Sequence, residues 1–189
     1  MCIRDRYNLP TYYILGINSQ REYKNTLGTV RIFHQLIKKP SFRDLKLVLI
    51  GPALNHHSPT GKYIFEHSLN DKVITYNDFI IKEDLCYFYA LSQAFIFLSY
   101  EEGFGLPPLE AIACGSLPIV SNLSALGEIF NQQIPSFNPE NINVITQYLN
   151  HILTQPHLKK ELIAKAQRKL LPQYSWHKIL PLYLEVLNT

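Results

Sequence analysis

No stretch of this 189-residue chain reaches the roughly 18–20 consecutive apolar residues that a membrane-spanning helix needs, so no spanning segment is expected. Arg4 and Arg6 have no apolar run behind them, which argues against a secretion signal. Cysteine is scarce. Cys2, Cys86 and Cys114 share no metal-ligand spacing and suggest no disulfide framework, so a reducing compartment is expected and Cys114 reads as a small core residue. Charge of one sign is not concentrated either. The formal net charge is +3, and the longest basic runs are Lys38-Lys39 and Lys159-Lys160. That is scattered solvated charge and excludes a nucleic-acid face, while contact of a basic face with anionic lipid stays open. His56-His57 lacks a third ligand at metal spacing, so no metal is expected. Internal repeats, low-complexity tracts and linkers are absent.

What is present is a core. Hydrophobic residues make up 47% of the chain and charged residues 17%, enough for one globular domain. The opening MCIRDR adds nothing to a fold, so residues 1–10 are set apart as a non-native or disordered leader and 11–189 as the domain. Apolar, β-rich runs at 11–17, 45–50, 73–76, 94–99 and 117–120 read as strands, with a weak last one at 135–137. Helical patterns separate them: from Asn25 as N-cap to about Lys38, then 63–69, 83–92, 109–113 and 124–130. Three more helices follow, one started by Asn138-Pro139, one over 157–171 and one from Ser175 that Pro181 interrupts. Strands alternating with helices predict an α/β fold, a Rossmann-like parallel sheet with helices on both faces. Ligands bind such sheets at the carboxyl ends of strands, so the loops 16–25, 51–58, 77–82 and 99–108 converge on one cleft.

The stretch Tyr100–Asn122, YEEGFGLPPLEAIACGSLPIVSN, gives that cleft its chemistry. A buried strand leads into two acids and a Gly-Phe-Gly turn. Pro107-Pro108 is tolerated only in the first turn of a helix, so a helix begins there, and Gly115 ends it. The free amides of a helix N-terminus attract phosphate, and glycine lets backbone come close to a ligand. Glu102 and Glu110, with seven residues between them, flank the loop. Carboxylates accept hydrogen bonds from hydroxyls, as the acid of dinucleotide folds does from ribose. Phosphate donors beside hydroxyl acceptors suit a nucleotide joined to a sugar.

Glu102–Gly115, EGFGLPPLEAIACG, closely resembles the Glu-x7-Glu signature of retaining glycosyltransferases of the group 1 kind (family four), which have the twin-Rossmann GT-B fold. The resemblance extends over almost the whole chain from about Tyr12 and implies its C-terminal, nucleotide-sugar-binding domain. It implies that Glu102 is the catalytic acid placed against the donor sugar and that Glu110 binds the ribose. Gly103, Phe104, Gly105 and Leu106 would offer backbone amides to sugar and diphosphate. In REYKN, Lys24 and the more loosely matched Arg21 would bind the diphosphate, and Asp78 and Phe79 would meet the base, where the family commonly has Gly in place of Asp78. The implied substrate is a nucleotide-sugar, with wording that leans to mannosyltransferases and GDP, and the implied cofactors are none. Family enzymes carry an N-terminal acceptor-binding domain for which this chain has no room. The chain is therefore expected to be an enzyme half, inactive alone, with cytoplasmic or peripheral membrane placement. The alternative is a non-catalytic nucleotide-sugar-binding module, distinguished by a polar rather than apolar surface on the last helix.

Overall fold

The computed structural model describes residues 3–77 and 80–187, without the side chains of Lys82, Trp176 and Leu182. Its strands are β1 (Tyr13–Ile17), β2 (Lys46–Ile50), β3 (Val73–Tyr76), β4 (Phe95–Phe97), β5 (Pro118–Ser121) and β6 (Ser136–Phe137). Its helices are α1 (Ile3–Tyr7), α2 (Thr26–Ile37), α3 (Pro59–Glu66), α4 (Lys82–Ala90), α5 (Leu106–Ala113), α6 (Ser124–Phe130), α7 (Ile142–Leu153), α8 (Pro156–Lys169) and α9 (Trp176–Leu187).

The strands form one sheet in the order β3-β2-β1-β4-β5-β6. Every pairing is parallel, with Leu15 opposite both Val48 and Phe95. The period of two sorts the core into two layers. Ile14, Leu47, Leu49, Ile96 and Ile119 face Val30, Phe33 and Leu36 of α2 and Ile145, Leu149 and Ile152 of α7. Tyr13, Leu15, Val48, Phe95, Phe97 and Val120 face Phe88 and Tyr89 of α4, Ile112 of α5, Phe130 of α6 and Ala166 of α8. Both faces are dry, so the strands read as nearly unbroken apolar runs. Tyr13 is fully buried, and its hydroxyl donates to the Phe88 carbonyl at 2.7 Å, which removes the cost of burying it.

Strand order reverses between β1 and β4. The crevice at their carboxyl ends is where such sheets take ligands, and the loops 18–25 and 98–105 border it.

Several local features differ from the sequence reading. Residues 3–7 are helical, and Arg6 and Tyr7 both reach Asp84 of α4, at 2.8 and 2.7 Å, so the segment set apart as a leader packs on the domain. α3 begins at Pro59 rather than at residue 63, because Ser58 caps it and Pro occupies its first turn. α7 starts at Ile142, while Asn138-Pro139 forms the turn before it, with the Asn141 amide on the Asn138 carbonyl. α9 runs through Pro181 without ending. Cys86 and Cys114, expected to be unpaired, are joined in a disulfide between α4 and the end of α5.

Candidate functional site

The loop after β4 depends on one glycine. Gly105 has φ +101°, and a Cβ there would stand 2.6 Å from Leu126 Cδ2 and 3.1 Å from Phe130 Cε2. Only glycine fits this turn into α5, whose first turn then holds Pro107 and Pro108. Gly103 differs. A Cβ on it would meet nothing within 4 Å and its φ is ordinary, so neither packing nor backbone explains a glycine there. The open space over its peptide is room for a ligand. Phe104 and Leu106 are exposed at 37% and 61% and form an apolar lip, Phe104 meeting the Tyr174 ring edge-on.

Glu102 and Lys24 meet directly. Lys24 Nζ lies 2.5 Å from Glu102 Oε1, with side-chain exposures of 22% and 13%. The backbone that presents Lys24 is fixed at several points. Residues Glu22–Lys24 form a 3-10 turn, and Asn25 follows in the left-handed region with φ 52°. Asn25 Oδ1 accepts from the Gly28 amide, capping α2, while its Nδ2 donates to the Leu98 carbonyl. The Tyr100 amide donates to the Tyr23 carbonyl at 2.7 Å, tying the β1 loop to the β4 loop. The ammonium also stands 5.3 and 5.4 Å from the ring centres of Tyr23 and Phe97, within cation–π range. From the other side, Ser124 Oγ accepts the Glu102 amide at 3.1 Å.

Glu110 lies on α5, one turn beyond the paired prolines, and Tyr89 of α4 donates its hydroxyl to Glu110 Oε2 at 3.5 Å. That distance is the outer limit of a hydrogen bond, so the carboxylate keeps its capacity for another donor. Burial, reinforced by the Glu110 charge, pushes the Tyr89 hydroxyl well above the ordinary tyrosine value and holds it neutral, as a donor. The Cys86–Cys114 bond sits one helical turn from this contact on both helices.

Arg21 and Lys24 both stand within cation–π range of the Tyr23 ring, at 5.9 and 5.3 Å from its centre. The Arg21 guanidinium donates to the Tyr23 hydroxyl at 2.9 Å in the open. Asp78 and Phe79 lie outside the described residues. His56 and His57 are exposed, and among the described residues no group of three metal-ligating side chains exists. Glu101 is exposed, whereas the neighbouring Glu102 side chain is mostly buried.

The family model "Glycosyl transferases group 1" matches residues 4–169. The chain belongs to that family. The serotype-specific mannosyltransferase WbdA of Escherichia coli is 27% identical over 97% of this chain and 22% of its own length. The O-antigen chain mannosyltransferase B of Escherichia coli is 28% identical over 87% of this chain and 42% of its own length. The chain thus spans between about a fifth and two fifths of these relatives. Among solved structures, the C-terminal domain of a group 1 glycosyl transferase (LpcC) from Francisella tularensis superposes with TM-score 0.73 at 21% identity, covering 88% of this chain and 90% of that one. It shares the fold.

Within this group 1 domain, two contributors escaped the sequence reading. Ser124 showed no partner in sequence, yet it holds the Glu102 amide from a left-handed backbone at φ 52° that no residue-type signal announces. Tyr89 sits on the apolar face of α4, where sequence pattern marks only a core contact, and its hydroxyl meets Glu110 only when α4 packs on α5.

Proposed function

We propose that this domain binds a nucleotide-sugar donor and serves a mannosyltransferase that transfers the sugar with retention to an acceptor held by a further domain. The observation that carries the reading is the Lys24–Glu102 pair, set between the ends of β1 and β4 and beside the N-terminus of α5. In the reading, a diphosphate takes Lys24 from Glu102 and meets the amides of residues 103–106. The freed Glu102 accepts from donor-sugar hydroxyls, and Glu110 accepts from the ribose. Lys24 and the α5 dipole then face the charge that grows on the leaving diphosphate. No metal is needed for this scheme; mannose is suggested by the mannosyltransferase relatives, and GDP by the wording of REYKN and EGFGLPPLEAIACG.

The last helix supports a further domain over a self-sufficient module. Leu180, Tyr183, Leu184 and Leu187 of α9 are 50%, 61%, 51% and 78% exposed, an apolar strip of the kind that marks an interface. We place the protein in the cytoplasm or at its membrane surface. Among the described residues no helix is long and apolar enough to cross a bilayer. In that compartment the glutathione pool acts on the Cys86–Cys114 bond.

Ligand-observed NMR of the chain with GDP, UDP, ADP and their sugars tests this. GDP-mannose is expected to bind tightest and to remain unconsumed when a mannoside acceptor is added. Equal binding of all bases removes the GDP assignment, and mannosyl transfer by this chain alone removes the requirement for a further domain.

A further inference from the structure

Beyond the Lys24–Glu102 pair, on the α2 and α3 side of the sheet, a cavity of about 520 Å³ opens between the loops that follow β1 and β2. Its size lies in the range of roughly 300–1,000 Å³ of small-molecule sites. Neither Lys24 nor Glu102 lines it, while Tyr100 and Asn25, which tie the β1 and β4 loops together, do.

Asn18, Ser19, Asn25, Thr26, Ser58 and Tyr100 spend their side chains inside the protein, and three neutral lining side chains keep unspent capacity. Thr60, on the first turn of α3, is 9% exposed, and its hydroxyl has no hydrogen-bond partner in the protein. The hydroxyl oxygen is not sealed from solvent, so it opens on the cavity and is free to exchange water for a hydroxyl of a ligand. The Gln20 side-chain amide is likewise unpaired. Asn55 uses its Oδ1 on the His57 amide and leaves its Nδ2 free. Asn18 is buried and held rigid by donating to the Pro52 carbonyl at 2.5 Å, which fixes the wall between the two loops. Leu27, Ala53, Leu54, Pro59 and the Tyr100 ring add apolar lining. The lining carries one cation, Arg21, and one acid, Glu22, and so no net charge.

Neutral amides and hydroxyls beside apolar lining match a ligand with many hydroxyls and apolar C–H faces, not a phosphate. We propose that this cavity is a carbohydrate subsite for an outer sugar of the glycan acceptor whose reacting end the further domain holds, separate from the donor site across the β1 loop. The assignment to an acceptor rests on the transferase reading above, whereas the assignment to a carbohydrate rests on the cavity alone.

The test is saturation-transfer NMR on the chain with α-linked mannotriose, with and without saturating GDP, and with orthophosphate as a competitor. Transfer to mannotriose is expected to persist under GDP and under phosphate. It is expected to weaken about tenfold in affinity in Thr60→Val, a near-isosteric change, and in Gln20→Ala, which alters an exposed side chain with no bonds to lose. It is expected to remain in Glu110→Ala. Displacement by GDP, displacement by phosphate, unaltered affinity in both cavity variants, or no binding of the trisaccharide each overturns the proposal. Mannotriose binding without any nucleotide binding keeps the carbohydrate site and removes the donor reading instead.

Discussion

Gly103 and Gly105 sit two residues apart and answer to different demands. Gly105 is required by the fold: its φ and the nearness of Leu126 make any side chain costly. Gly105→Ala is expected to lower stability by about 2 kcal/mol or more, from a forced left-handed backbone and overpacking, read by urea unfolding. Gly103→Ala is expected to change stability by no more than about 0.5 kcal/mol while weakening donor binding, since its neighbourhood is empty. Residue type and spacing singled out both acids and the glycines, and the resemblance to the group 1 family added Lys24. Their pairing was not legible, because the Lys24–Glu102 contact depends on the left-handed Asn25 and on two loops meeting through Tyr23 and Tyr100. His34 adds a prediction in pH. Burial first, then Lys38 and His67, lower its pKa from the ordinary 6.5, so the unfolded chain takes up this proton at higher pH than the folded one. The stability His34 contributes is present above about pH 6.5 and lost as pH falls through its folded pKa. Unfolding by urea at pH 7.5 and 5.5 should show a fall that shrinks in His34→Phe.

Elements followed the sequence where one signal acted alone. β3 and α6 lie where the pattern put them, and Asn25 caps α2 as its type suggests. Readings failed where a tertiary contact decided. Pro181 removes a backbone bond inside α9, yet the helix continues, and the start of α7 is set by its apolar face rather than by Asn138. The disulfide was hidden for the same reason: 28 residues separate Cys86 from Cys114, and only the packing of α4 on α5 brings their Cα atoms to 5.5 Å. Closing a loop of that length should stabilise the fold by about 3–4 kcal/mol through the unfolded chain. Chemical unfolding with and without a thiol reductant measures it. The same treatment on Cys86→Ala should have no effect, and a response in that variant contradicts the assignment.

At the scale of the whole molecule, a doubly covered sheet with a switch point between β1 and β4 leaves one usable edge, and the candidate donor groups and the neutral cavity both open there. The strip on α9 is one apolar surface that the described residues leave uncovered. Leu180→Asp with Leu184→Asp is expected to reduce concentration-dependent self-association in sedimentation runs without lowering stability, because both side chains are about half exposed. The central claim is that Lys24 exchanges Glu102 for a diphosphate, with Glu110 on the ribose. Calorimetric titration of GDP into the wild-type chain, Lys24→Ala and Glu110→Ala tests it most directly. The account predicts a loss of about tenfold or more in each variant, equivalent to about 1.4 kcal/mol. Unchanged affinity in both would contradict it.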